Sequence, residues 1–496
     1  QSSKIQLNTA GNSYFNGGNV GIGTASPTRK LTIQTSTGSR NNVIGINDAS
    51  GTEQATIALD TNTNDVNIAG KANLRFYSGS TLGGVASLPT NERVVITTAG
   101  NVGIGTTSPS EKLTVSGSIS SKGYCSDQSD NTSIGTCAGK SYVNCGCQNT
   151  ALGFGALQET CVGDFNVGVG FKALQCNTTG CSNVGVGHCA LKSNTCGLNN
   201  TAIGKCAGTA NTSGCRLVAI GNETLRCNSS ANNNTAIGNQ SMIQNTTGSE
   251  NVAVGTYTMA CNVDTSDNTA LGYGSLYNNV AGCNTGLGNR TLCNTTTGHS
   301  NVAVGRNSMQ ANTTGCYNNA IGLESLRTNT CGCRNNAIGS YALCSNTTGC
   351  NNNAFGDAAL CSNTEGEHNI GVGYRALFEN TTGDYNVAIG RQALDDNSTG
   401  DANIALGRQT LWKNCTGACN VGIGHFVLNT NTTGCLNIGI GCGALYCNTC
   451  GFVNNAIGTC ALHKNTTGGH NEAMGYLAIC SNTEGFYNIG IGREPL

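Results

Sequence analysis

Proline is nearly absent, with 4 residues in a chain of 496. Aromatic residues make up 5% and charged residues 10%, against a usual charged share of about 25%. The net charge is −1, and no basic cluster offers the electrostatic footprint of a nucleic-acid binder. Low net charge and scarce proline also argue against a disordered coil. No stretch approaches the ~18 apolar residues of a membrane helix. What is abundant is glycine, 71 residues, roughly twice the usual ~7% share. It does not fall at every third place, which excludes collagen. Length alone would suggest three or four domains, and the composition argues against that division. The chain begins at Gln1 rather than methionine, and the expectation is a mature chain from which a signal peptide has been removed.

The dominant feature is an internal repeat. Strings such as Ala-Ile-Gly and Val-Gly-Val-Gly recur, and the last glycine of each serves as an anchor. There are twenty-two anchors from Gly135 to Gly492. Nineteen of the twenty-one intervals are 17 residues; one is 18 (Gly135 to Gly153) and one is 16 (Gly272 to Gly288). From the anchor the pattern reads G-x-x-A-L-x-x-N-T-T-G-x-x-N-x-A-I, as in Gly170–Val186. Asn-Thr-Thr-Gly is turn chemistry, because Asn tolerates left-handed backbone and Gly takes positive φ without steric cost. Between the turns lie two short apolar segments, x-A-I/V and A-L, each of strand length. Seventeen residues are too few for a helix pair but suffice for one coil of a two-sided β-solenoid, coils stacking at about 4.8 Å. Proline is missing from residue 110 to residue 494, as ladder-donating interior coils require. The fold class expected is therefore all-β, a β-solenoid of about 22 coils. Each coil has little to bury: one Ile or Val, one Leu and a few small residues. The residue before the Ile or Val is nearly always Ala or Gly (Ala202, Ala219, Ala236, Gly371, Gly422). A tight coil interior would explain this, as would close approach of neighbouring chains. The second, most simply a trimer, is the expectation.

The first part of the chain differs. Residues 1–124 contain no cysteine, and the string Gly18-Asn-Val-Gly-Ile-Gly-Thr-Ala-Ser-Pro27 returns as Gly100-Asn-Val-Gly-Ile-Gly-Thr-Thr-Ser-Pro109. Alternating stretches such as Ala55–Leu59, Leu74–Tyr77 and Val94–Thr97 read as strands bounded by Gly, Asn and Pro. The expected organisation is an N-terminal β region over 1–117, a junction over 118–130, and the cysteine-rich solenoid over 131–496.

Two resemblances follow from these residues. The segment Gly100–Gly117, GNVGIGTTSPSEKLTVSG, resembles one common in phage tail fibres and related bacterial surface fibres. The repeats, with Asn301-Val-Ala-Val-Gly305 and Asn386-Val-Ala-Ile-Gly390, are similar to the head repeats of trimeric autotransporter adhesins. The resemblance implies a fibrous trimeric β architecture. Neither family is usually rich in cysteine.

Here there are 29 cysteines, 27 of them after residue 140. Cys176 and Cys181 flank one Asn-Thr-Thr-Gly turn, and Cys344 and Cys350 another. Cys316, Cys333 and Cys350 share one coil position, Cys189 and Cys206 a second, and Cys361 follows Cys344 by 17 residues. Stacked coils bring equivalent Cα atoms to about 4.8 Å, inside the disulfide range of ~4.4–6.8 Å, so bridges across turns and between coils are both feasible. They would imply an oxidising, extracellular or surface location. Metal binding, for which Cys145-Gly-Cys147 and Cys331-Gly-Cys333 are the nearest motifs, lacks paired zinc spacing; packed free thiols are the third reading. Asn177, Asn245, Asn312, Asn346, Asn380, Asn431 and Asn465 head Asn-x-Ser/Thr sequons and are candidate glycan acceptors if the turns are exposed. The competing reading, an unmodified turn, is favoured.

No catalytic constellation emerges. The six histidines occupy no recurring coil position, Asp395-Asp396 reads as a solvated turn, and the Gly-x-Gly strings are repeat anchors without the strand-to-helix turn of a nucleotide loop. No cofactor is expected. The function expected is a non-enzymatic, disulfide-stabilised structural subunit of an extracellular, cell-surface or virion-surface fibre, self-associating as a homotrimer or head-to-tail polymer. An uncapped coil end is a strand edge ready to pair. The alternative is a receptor-binding tail fibre or adhesin stalk recognising a cell-surface glycan or receptor. Neither nucleic acid nor membrane insertion is expected.

Overall fold

The computed structural model describes the strands between Val20 and Tyr77 and residues 92–116, 130–141 and 146–495. Most of the junction placed at 118–130, together with Cys125 and Cys145, lies outside the described residues. The chain separates into two compact units, Gln1–Ser120 and Ser121–Leu496.

In the first unit, β1 (Val20–Ile22) and β2 (Leu31–Ile33) form a parallel pair. Strands β3 (Asn41–Asn47), β4 (Glu53–Asp60) and β5 (Asp65–Gly70) form an antiparallel sheet. Strands β6 (Leu74–Tyr77), β7 (Glu92–Ile96), β8 (Val102–Ile104) and β9 (Leu113–Val115) form a mixed sheet. The repeated GNVGIGT-SP string builds the same element twice. Val20 pairs with Leu31 as Val102 pairs with Leu113, each across an eleven-residue offset.

The second unit is one parallel sheet of 22 three-residue strands in strict sequence order, β10 (Thr132–Ile134) to β31 (Ile489–Ile491). Register is exact from coil to coil, Val167 on Val184, Gly168 on Gly185 and Val169 on Val186. No helix occurs among the described residues. The unit is thus the expected β-solenoid, with four departures in detail.

The first is the second wall. The A-L segment is not a strand. Its backbone alternates in handedness, with Lys172 at φ 54° and Leu174 at φ 51°, and the pattern repeats from coil to coil. Non-glycine residues at positive φ cost roughly 1–2 kcal/mol each. Complete burial of a leucine is worth about 1.5–3 kcal/mol, and the wall still makes its ladder, Leu174 N–H donating to Ala190 O at 2.9 Å. The anchor glycine has no such freedom. Gly170 sits at φ +127°, and a Cβ there would lie 2.5 Å from the Gly187 carbonyl oxygen.

The second is the small residue before the Ile or Val. It faces its own coil's interior. A Cβ on Gly168 would meet Leu157 Cγ at 3.1 Å and the Ala173 carbonyl at 3.3 Å, and Ala202, Ala219 and Ala236 are buried. The two walls stand too close for anything larger, so the tight-interior reading holds and this column makes no contact for another chain.

The third is the Ile or Val itself, which points outward; Ile203 is 41% exposed and Ile389 44%.

The fourth is the core, which is half amide. Two columns of asparagine run inside the stack. In the turn column, Asn194 Nδ2 donates to Asn177 Oδ1 one coil away at 2.8 Å and to Gly197 O of its own turn at 3.1 Å. In the column before the strand, Asn183 N–H donates to Asn166 Oδ1 at 2.9 Å, and Asn166 Nδ2 to Gly180 O at 2.9 Å. Each amide uses both its donor and its acceptor, the condition under which polar groups are tolerated inside. Leu217, Thr160 and Thr295 interrupt the columns.

Candidate functional site

The outer face of the sheet carries the feature that sets this surface apart. The column ending each strand holds Ile134, Leu152, Val169, Val186, Ile203 and so on to Ile491, and every one of its 22 members is a large apolar residue. All are exposed or half-exposed. The column two residues earlier on the same face is mixed, with Thr, Val, Asn, Ile and one Glu. Scattered exposed apolar residues need no explanation, but a contiguous apolar strip marks a contact surface.

The cysteines fall into columns with distinct surroundings. Cys316, Cys333 and Cys350 stack as expected, but their sulfurs bridge backbone. The Cys333 sulfur accepts from Cys316 N–H at 3.2 Å and donates to Cys331 O at 3.4 Å; the Cys350 sulfur accepts from Cys333 N–H at 3.2 Å. In other coils the same place holds Ser266 or Asp384, whose side-chain oxygens accept the equivalent bond. Cysteine in this column does the work of serine or aspartate. Burial raises the Cys350 thiol above its ordinary value.

Cys344 and Cys361 meet thiol to thiol across adjacent coils. The hydrogen bond with Cys361 holds Cys344 down at about 7, while the same bond and burial push Cys361 up. Cys189 and Cys206 are also neighbours, and the Cys189 thiol is raised by burial and by Cys206. The cross-turn pairs are differently placed. Cys176 lies among Glu159, Lys192 and Lys172, its thiol raised by burial and then by Glu159. The Cys181 sulfur accepts from Asp164 N–H at 3.4 Å. Likewise Cys344 faces Cys361 while Cys350 faces Cys333. No disulfide joins these nine cysteines.

Asn177, Asn245, Asn312, Asn346, Asn380, Asn431 and Asn465 belong to the buried turn column, each with 0% exposure. The Nδ2 atom that would carry a glycan is instead an internal donor, as in Asn346 to Gly349 O at 2.9 Å. The folded coil has no room for a sugar there, in keeping with the favoured reading of an unmodified turn, although the turn asparagine is buried rather than exposed. One signal was available: an exposed turn accepts Asp, Ser or Gly, whereas a place held almost throughout by Asn needs donor and acceptor together.

Asp395 is also corrected. It is 1% exposed rather than solvated. Arg375 Nε lies 3.1 Å from Oδ1, and Trp412 Nε1 donates to Oδ2 at 3.1 Å. Its neighbour Asp396 is raised by burial and then by Asp395. Among the described residues, no three His, Cys, Asp or Glu side chains converge as metal ligands, and no helix is long and apolar enough to cross a membrane. No family model, curated protein or solved structure matches this chain.

Proposed function

We propose that this chain is a non-enzymatic structural subunit of an extracellular or surface fibre, whose coil stacks associate with copies of themselves and join end to end. The observation that carries the reading is the outward apolar column. With coils spaced about 4.8 Å apart the strip runs on the order of 100 Å. At tens of Å² per side chain it offers roughly 800–1,000 Å² per copy, the share of a stable interface. A partner must present apolar groups at the same spacing over the same length, and a second copy of this chain does so. Ladder hydrogen bonds along the axis, and disulfides wherever stacked thiols such as Cys344 and Cys361 oxidise, suit a subunit that carries load.

A second reading is a receptor-binding tail fibre or adhesin stalk. It is favoured by the single-sided strip, because copies aligned coil against coil about a common axis close into a discrete oligomer such as a trimer.

The test is the mass of the chain in solution, by light scattering, with and without Ile321→Lys and Ile338→Lys together. The reading requires a multimer that the double substitution weakens or dissociates while far-UV circular dichroism stays unchanged. A monomeric parent chain would overturn it.

A further inference from the structure

We infer that the shortened coil Gly272–Gly288 carries a binding cleft for an acidic saccharide, a sugar bearing a carboxylate. The inference goes beyond self-association and holds in any oligomeric state. Around this coil, the column two residues after the anchor glycine reads Gln240, Tyr257, Gly274, Arg290, Asn307. At Gly274 one side chain of this outward row is missing. Two other coils also have glycine here, and neighbours cover the gap: Gln158 and Lys172 at Gly155, Cys460 and His463 at Gly443. At Gly274 a Cβ would meet only Arg290 Cγ, at 3.9 Å. The gap stays open as a cleft of ≈ 350 Å³, at the small end of the ~300–1,000 Å³ range of ligand sites.

Its walls are aromatic. The Tyr257 ring stands 6.1 Å from Tyr273 at 87° and 6.5 Å from Tyr277 at 72°. Arg290 and Gln310 also line the cleft, and a shallower depression of ≈ 250 Å³ continues past Tyr273 and Arg290 to Arg306. Among the described residues the ion-paired arginines are Arg226, Arg327, Arg375 and Arg493, so Arg290 and Arg306 are uncommitted.

The repeat departs from its own pattern at the same place. This coil alone has 16 residues, and its turn asparagine departs from the column: Asn279 Nδ2 donates to Thr265 Oγ1 at 3.3 Å and Ala281 O at 2.6 Å, and with Thr295 in place of asparagine in the next coil, Asn279 Oδ1 accepts from Asn284 Nδ2 at 3.2 Å. Local exceptions to a repeat concentrate where function requires them. Tyrosine faces suit the C–H face of a pyranose ring. An unpaired arginine fork suits a carboxylate held through two parallel hydrogen bonds, and the Gln310 amide can pair with hydroxyls. Two free arginines disfavour a cationic ligand.

The test is calorimetric or saturation-transfer titration of the full chain with glucuronate, N-acetylneuraminate, glucose and glucose 6-phosphate. The acidic sugars should bind at least about tenfold more tightly than glucose, as loss of a charged hydrogen bond implies. Arg290→Gln and Tyr273→Ala should each weaken them about tenfold or more. Gly274→Gln, which restores the side chain found at Gln240, should close the cleft and abolish binding with the fold intact. The inference is overturned if neither acidic sugar binds, if glucose or glucose 6-phosphate binds as well, or if Gly274→Gln leaves binding unchanged.

Discussion

The side-chain amide of Asn335 is shared between three coils: Nδ2 donates to Gly349 O at 2.8 Å ahead and to Asn318 Oδ1 at 3.2 Å behind. Asn335 Oδ1 in turn accepts from Asn352 N–H at 3.0 Å. Replacing Asn335 by Ala leaves the Asn352 N–H without its partner and removes one of two amide donors from Gly349 O, which keeps Asn346 Nδ2. At ~1–3 kcal/mol for an unsatisfied buried group, the expected loss is of that size, about 1–3 kcal/mol, read as a fall in the urea midpoint. Asn335→Asp should cost more, because it buries a charge among carbonyl oxygens. A midpoint unchanged by either substitution would mean the asparagine columns are not structural.

Gly170→Ala tests the anchor. The new methyl would press on the Gly187 carbonyl, and the backbone at φ +127° is one that L side chains rarely adopt. Strain and overpacking together should cost about 3 kcal/mol or more. Ala at the neighbouring outward place, as in Phe171→Ala, removes an exposed ring and should change stability far less.

Asp395 and the chain's one tryptophan provide a reporter. Asp395→Asn removes the charge that Arg375 and Trp412 share. Breaking a largely buried pair leaves the other charge uncompensated, and about 2–3 kcal/mol should be lost, less than for a fully buried pair because Arg375 is partly exposed. Trp412 emission should shift in the folded state, since its N–H loses a charged acceptor. An unshifted spectrum would contradict the bond.

Much of this was readable in advance. The 17-residue period forces stacked coils, and the missing proline agrees with a ladder. What periodicity could not assign was direction. In a coil with a single true strand, the Ile of Ala-Ile-Gly and the Ala before it exchange the roles that size alone suggests. Ala202 is inside and Ile203 outside, because the leucine of the facing wall crowds this column, as Leu174 would a Cβ on Gly185 at 3.1 Å. The A-L segment resembles a strand in composition, but Leu174 at positive φ leaves no trace in residue type. Asn346 reads as a turn residue by local propensity and is a core residue by its hydrogen bonds. The open cleft at Gly274 depends on what its neighbours do not cover, and only the 16-residue interval hinted at it.

The Cys344–Cys361 pair predicts a pH dependence. Cys344 is held at about 7, below the ordinary thiol value, by the hydrogen bond from Cys361. The thiolate is the attacking species, so bridge formation with glutathione disulfide as oxidant should be slow at pH 6 and rise through about pH 7. Mass spectrometry of the unreduced digest should then find Cys344 linked to Cys361 ahead of other pairs. Equal rates at pH 6 and pH 8, or preferential linkage of Cys176 to Cys181, would contradict the pairing.

The most direct measurement is electron microscopy of the unreduced protein. The account predicts filaments wider than a single coil stack, of indefinite length, with an axial repeat near 4.8 Å. Discrete multi-chain rods of fixed length would favour the stalk over the filament. Isolated single-chain rods with the apolar column facing water would contradict self-association through that column, and with it the fibre.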